Sequence, residues 1–458
     1  MKLDNNPSGL RLGYKKIEKL LSIESRWQSW LDIEASLAIA QSKLGMIPKK
    51  IGKKIAEKCK LSKLNQKNII KGLKKTGHKL VPLIWELSRI CDKEAKKFVH
   101  WGATTQNITQ TGDVIILKKI HTIFLNDIAD ILKILSKIAL KSKDYVMAGR
   151  THGQHALPIT FGFKVACWID EIGRHIDRLV ESEPRIFRCL FGGAVGTAAS
   201  FGKYGLRIEK EIAKNLKLYP TKIPSRNHLD NFAEYTLIII MISTTFGKIS
   251  EEIFNLMRNE TSEVEEPINF DDVGSSTMPQ KRNPHLTQDV IAYAAQSRSL
   301  STLVFSSMLT QNEGSRQHSL MSISALHDSC IKLEQILSTS KYILKNLKIN
   351  KKRMLTNLNI SQGSIVSEAI MLKLGKIIGR QKAHEIIHDC YNYSFTEKIN
   401  FIEIVKSNSI IKKYLSKKEI DEMIDPNNYT GLSSKFATEQ STNALNIYKK
   451  IKKKLKLI

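Results

Sequence analysis

Long apolar runs are missing from this 458-residue sequence. The longest, Leu237 to Ile242, is far too short to cross a bilayer. The opening residues Met1-Lys2-Leu3-Asp4-Asn5-Asn6 lack the apolar core of a secretory signal, so a soluble, cytoplasmic protein is expected. Cysteine is scarce. The six residues (Cys59, Cys91, Cys167, Cys189, Cys330 and Cys390) form no CxxC pair and sit in helix-patterned surroundings. Buried thiols are expected there, with no disulfide and no metal site. Alternating strand patterns, internal repeats and low-complexity linkers are also missing, which argues against sheet and repeat architectures. Acidic residues are the last deficit, 44 against 72 Lys and Arg, for a net charge of +28. Such a balance suits a nucleic acid or a membrane surface. Here lysine outnumbers arginine, Ile and Asn are abundant, and the charge is spread along the chain, as an AT-rich genome produces. With no nucleic-acid motif and no aromatic-basic interleaving, neither nucleic acid nor membrane is expected as a partner. The charge would still draw in a small polyanionic substrate.

What the sequence does contain is helical periodicity. Trp30, Ile33, Leu37, Ala40 and Leu44 recur every three to four residues, and Gly45 and Pro48 then end the helix. Further helices are expected over about 113–141, 165–180, 232–257, 289–309 and 331–347. The 232–257 segment is apolar on most sides, as a helix in the middle of a bundle must be. The fold class expected is all-α, built on a bundle of long helices.

Polar, glycine-containing segments fall between these helices, at 100–112, 149–158, 192–197 and 261–284. Loops and helix ends are where functional groups are displayed on a rigid scaffold. The most specific is Gly274-Ser275-Ser276-Thr277-Met278-Pro279-Gln280-Lys281-Arg282-Asn283-Pro284. It joins a Gly-Ser-Ser turn, two rigid prolines, a lysine and an asparagine, so it can surround a carboxylate with donors and hold a hydroxyl over a C–H bond. In Gly149-Arg150-Thr151-His152-Gly153-Gln154-His155, a histidine beside glycine sits in a tight exposed turn, where it can give or take a proton near neutral pH. In His100-Trp101-Gly102-Ala103-Thr104-Thr105-Gln106-Asn107, paired threonines suit either a carboxylate or a helix N-cap. Thr76-Gly77-His78-Lys79 can bind an anion.

These segments together resemble the fumarase/aspartase superfamily over nearly the whole chain, and most closely the branch of adenylosuccinate lyase and 3-carboxy-cis,cis-muconate cycloisomerase. The 274–284 string matches the signature loop GSSxMPxKxNP, and 100–107 and 149–158 match the first and second signature regions. The resemblance implies three helical domains, an N-terminal one over 1–110, a central bundle with the signature loop over 111–350 and a C-terminal one over 351–458. It implies a homotetramer whose sites each draw loops from three subunits. It implies a lyase that acts on a small dicarboxylate-type substrate by β-elimination and releases fumarate, with no cofactor and no metal. Ser275 would be the base and His152 the acid. Ser276, Lys281, Asn283, Thr104, Thr105 and Gln106 would bind the substrate's carboxylates, His78 its far side, and Arg316 would supply a further cation.

The sequence also departs from the pattern. Gln288 stands where most relatives carry a glutamate that orients the catalytic histidine, with Asp289 beside it. Leu229-Asp230 replaces the arginine-aspartate pair of this branch, which weakens the case for a nucleotide phosphate. His152 and His78 follow adenylosuccinate lyases, whereas 100–106 and Leu80-Val81-Pro82-Leu83 look like cycloisomerases. Adenylosuccinate, and with it purine biosynthesis, is the first expectation for the substrate. A carboxylated muconate or another N-substituted aspartate is the alternative.

Overall fold

The computed structural model describes residues 12–268 and 273–457. The opening hexapeptide and residues 269–272 of the third signature region lie outside the described residues. Helices dominate, as the periodicity requires. Those used below are α1 (Ile23–Lys43), α2 (Thr105–Lys141), α3 (Phe161–Ile186), α4 (Asp230–Met257), α5 (His285–Ser299), α6 (Arg316–Asn346) and α7 (Arg380–Glu397). Among the described residues no helix is long and apolar enough to cross a membrane.

Several helices begin earlier than their apolar spacing suggests, because capping sets the start. Thr104 precedes α2, and its N–H donates to Asn107 Oδ1 at 3.2 Å, one half of a capping box. Ser22 caps α1 by accepting from the Ser25 N–H. The helix expected near 331 starts at Arg316. Its first turns, Arg316-Gln317-His318-Ser319, carry too few apolar residues to read as a periodic face. The helix expected over 289–309 is two helices, α5 and Ser301–Ser307, separated at Leu300.

The described residues fall into two compact units. One takes the chain up to Asn126 with His175–Gly247 and Ala292–Ser338. The other takes Asp127–Arg174, Lys248–Ile291 and the chain from Thr339 onward. In the first, the α4 residues Phe232, Tyr235, Ile239, Ile242 and Phe246 are fully buried. Tyr235 and Phe187 close around His121, with ring centroids 5.9 and 5.0 Å away. Burial of this kind contributes roughly 1.5–3 kcal/mol per large apolar side chain. In the second unit, α7 packs Ala383, Ile387 and Cys390 against Ile370, Leu374, Phe401 and Val405.

The strands have no counterpart in the sequence reading. Strands β1 (Val146–Thr151) and β2 (Gln154–Thr160) form an antiparallel hairpin in the second unit, pairing Val146↔Thr160 to Ala148↔Pro158 and, past a register shift between Ala148 and Arg150, Arg150↔His155 and Thr151↔Gln154. A short antiparallel pair, β3 (Val264–Glu265) with β4 (Lys348–Ile349), lies in the same unit. The hairpin escaped the periodicity test because Val146, Met147 and Ala148 are all buried, so no alternation appears. The turn is a two-residue connection, with His152 at φ 52° and Gly153 at φ 76°. Both central residues at positive φ are what a hairpin matched to strand twist needs.

Candidate active site

The expected site residues fall into two sets, one in each unit. His78, Thr104, Thr105, Gln106 and Arg316 line a single cavity of about 520 Å³ in the first unit. His78 Nδ1 accepts from the N–H groups of Leu80 (3.2 Å) and Val81 (3.1 Å). In the neutral ring the proton therefore sits on Nε2, which lies 3.4 Å from Thr105 Oγ1. Gln106 Nε2 donates to Gln110 Oε1 at 2.8 Å and to the Arg226 carbonyl at 2.9 Å, and Gln110 Nε2 reaches the His228 carbonyl at 3.3 Å. The first two turns of α2 thus anchor the segment that carries Arg226 into the cavity wall. Arg226 Nη1 also donates to the Ala194 carbonyl at 2.9 Å.

Two groups in this cavity went unread in the sequence. Asp113 lines it, and so does Arg26. Both carry a weak signal that a helix-face reading could have found: Thr105, Thr109 and Asp113 repeat at four-residue spacing, as do Arg26 and Trp30. Burial pushes the Asp113 carboxyl up to about 6, with Arg26 and Lys79 pulling it back. Lys79 lies in open view of water, yet enough protein surrounds it to lower its pKa, with Asp113 opposing and Arg26, Arg316 and Arg226 adding to the fall. Arg26 Nη2 lies 3.1 Å from His327 Nδ1. Burial, helped by Arg26, drops His327 to about 3, so the imidazole is neutral and accepts from the guanidinium. Four cations (Arg26, Lys79, Arg226 and Arg316) and one carboxylate give this cavity a strong excess of positive charge.

Just before α2, His100 Nδ1 pairs with the buried Glu34 Oε1 at 2.6 Å. Burial disfavours the charged ring, but Glu34 outweighs it and leaves the His100 pKa above its ordinary 6.5. A raised folded pKa stabilises the fold fully below the unfolded value and is lost as pH rises through the folded one. Thermal stability should therefore fall as pH climbs past 6.5, and His100→Gln should flatten that slope in a melting series. An equal slope in the variant would remove His100 from the account.

The second unit holds the signature loop and the hairpin. Gly274 is required by close approach: a Cβ there would collide with the Lys281 carbonyl. Asn283 Nδ2 donates to the Gly274 carbonyl at 2.6 Å, which closes the loop at its base. Inside it, Ser275 Oγ accepts from the N–H groups of Met278 (3.1 Å) and Thr277 (3.4 Å). Two N–H dipoles aimed at one oxygen favour its anionic form, which a serine needs to act as a base. Ser276 and Lys281 are exposed, and Lys281 has no carboxylate partner among the described residues. Lys281, Asn283 and Gln288 line an open cleft of about 1160 Å³, together with Arg258, Lys348 and Lys351. The loop's far end is pinned. Arg282 Nη1 donates to Glu265 Oε1 at 2.7 Å, and the buried Glu266 caps α5 by accepting from the N–H groups of Leu286 (3.0 Å) and Thr287 (2.9 Å).

His152 stands exposed at the hairpin tip and lines neither cavity. Its position is set from below. Arg150 donates from Nη1 and Nη2 to the fully buried Glu263, at 3.0 and 2.7 Å, and Asn357 Nδ2 adds a third bond at 2.9 Å. Removing one partner of such a pair leaves an uncompensated charge. Glu263→Ala should cost about 3–5 kcal/mol of stability in urea unfolding; a loss below about 1 kcal/mol would contradict this role.

Comparison with known proteins fits this geometry. Residues 15–296 match the family described as "Lyase", and residues 363–439 match "Adenylosuccinate lyase C-terminus". The chain is 34% identical over 423 residues to an N-acetyl-S-(2-succino)cysteine lyase of Dickeya dadantii (strain 3937), covering 92% of this chain and 93% of that one. It is 33% identical over 441 residues to an adenylosuccinate lyase of Methanocaldococcus jannaschii, covering 96% of each. The crystal structure of the 3-carboxy-cis,cis-muconate lactonizing enzyme from Pseudomonas putida superposes with a TM-score of 0.86 at 28% identity, covering 96% of this chain and 99% of that one. With the signature loop, the hairpin histidine and these matches in agreement, the chain belongs to the fumarase/aspartase superfamily of lyases, in its adenylosuccinate lyase and carboxymuconate cycloisomerase branch.

Proposed function

We propose that this enzyme eliminates a leaving group from a 2-substituted succinate and releases fumarate. The observation that carries this reading is the Ser275 hydroxyl oxygen seated on two backbone N–H groups, in the same loop as an unpaired Lys281. A C–H bond beside a carboxylate is weakly acidic because its removal loads a second charge onto the same group. Ser275, as alkoxide, takes that proton. Lys281 and the hydroxyls of Ser276, Thr104 and Thr105 hold the charge that develops, the largest single contribution expected in such a site. The electron pair then forms the carbon–carbon double bond, and the bond to nitrogen or sulfur breaks. His152 gives the departing atom its proton.

The cationic cavity favours a substrate with several carboxylates. The relatives' names point to succinylated cysteines and to adenylosuccinate. For adenylosuccinate, Arg226 and Arg316 are available to a phosphate. We assign the chain to a homotetramer, as its family resemblance implies, in which several subunits contribute loops to each site. Met241, Phe305, Leu309 and Leu320 are 42–73% exposed in one chain, which is apolar surface that subunit contact would cover. Light scattering should give about four times the mass of one chain.

The test is ultraviolet detection of fumarate, with succinylated cysteines, adenylosuccinate, argininosuccinate, aspartate and malate as substrates and a carboxymuconate assay beside it. Fumarate from a substituted succinate supports the reading. Consumption of carboxymuconate alone transfers it to cycloisomerisation.

A further inference from the structure

The first unit's cavity holds one carboxylate among four cations, and that carboxylate is unused by the fold. Asp113 has no hydrogen-bond or ion-pair partner among the described residues, although it lines the same wall as Arg26 and Lys79. A partly desolvated, unpaired carboxylate costs stability. A ligand carrying both signs of charge would relieve that cost. Anionic ligands alone would be served better by a cavity without Asp113.

Distance narrows the class of ligand. Thr105 and Asp113 lie on one face of α2, eight residues apart, so about 12 Å of helix rise separates them. In a succinylated α-amino thiol, about six covalent bonds join the far succinyl carboxylate to the α-amino nitrogen. Extended, that is about 7–8 Å, and one hydrogen bond at each end adds about 6 Å. The span matches. In a succinylated purine nucleotide the phosphate lies more than twice as far along the covalent chain, and no ammonium is present to meet Asp113.

Building on the elimination proposed above, we infer that Asp113 is a specificity-determining residue that binds the free α-ammonium group of an amino-acid leaving group, while Arg26 and Lys79 take its α-carboxylate. The substrate class is then an S- or N-succinyl amino acid with its amine unblocked. Acylating the amine removes its charge and two of its three N–H donors, leaving Asp113 a single neutral N–H in place of a charge-assisted partner.

The experiment compares kcat/KM for S-(2-succino)cysteine and its N-acetyl derivative, in the wild type and in Asp113→Asn, with adenylosuccinate alongside. The wild type should prefer the free amine by at least about tenfold, the scale of one charge-assisted hydrogen bond. In Asp113→Asn the ratio should fall toward unity. Equal or better use of the acetylated substrate by the wild type overturns the inference, as does a variant that keeps the wild-type ratio. If Asp113→Asn does not fold, the wild-type ratio alone decides. Fumarate from adenylosuccinate but from neither cysteine adduct overturns this inference and leaves the elimination standing. No fumarate from these three, nor from argininosuccinate, aspartate or malate, overturns both.

Discussion

Ser275→Ala should reduce fumarate release by roughly 10²–10⁴-fold, the usual worth of a positioned general base. The fold should survive, because Ser275 is only half-buried and its hydroxyl's bonds are to the neighbouring backbone of its own loop. Substrate affinity should change little, since the methyl group removes neither a charge nor a donor from Lys281, Thr104 or Thr105. Stopped-flow or steady-state assays with matched circular dichroism would check this. Near-full activity in a folded variant would show that another group takes the proton. Ser276→Ala is the informative companion. The hydroxyl of Ser276 receives no such pair of backbone donors among the described hydrogen bonds, so its loss should be much smaller.

Lys281→Met should cost roughly 10²–10³-fold in kcat, the scale of one preorganised donor at a developing negative charge. The methionine keeps the side chain's length and apolar stem while deleting the cation. Because Lys281 is exposed and makes no ion pair among the described residues, stability should be nearly unchanged. Its main-chain N–H to the Met278 carbonyl, at 3.0 Å, keeps the loop's turn in the variant. The loss should fall more on kcat than on KM, because the charge that Lys281 opposes grows between the bound state and the transition state. A rise in KM with kcat unchanged would mean that Lys281 only binds.

The two sets of site residues differed in how readable they were. The signature loop was legible because its chemistry is contiguous: Gly274, Ser275, Lys281 and Asn283 lie within ten residues, and Gly274 and Asn283 close on each other in the structure. The cavity of the first unit was only partly legible. His78 and Thr104-Thr105-Gln106 directly follow glycine-bearing turns that mark themselves. Arg26 and Asp113 sit inside long helices, where a single charged residue looks like any solvated position, and only its helical phase relative to Thr105 or Trp30 gives it away. The helices themselves were legible from apolar spacing, as in α4, whose Tyr235, Ile239, Ile242 and Phe246 are all buried. Helix starts were not, because the Ser22 cap and the bond from the Thr104 N–H to Asn107 set them. The β1–β2 hairpin was hidden because burial on both faces of β1 erases alternation there. Its one local sign was the His152-Gly153 pair at the turn, read as a tight loop without its strands.

The most direct measurement is proton nuclear magnetic resonance of the enzyme with S-(2-succino)cysteine, and separately with adenylosuccinate, followed in time. Vinyl protons of fumarate should appear together with the free thiol or amine product, in equal amounts, from at least one of them, and Ser275→Ala should suppress both signals. Turnover yielding a cyclised product without a free leaving group, or fumarate formed equally well by Ser275→Ala, would contradict the proposed elimination.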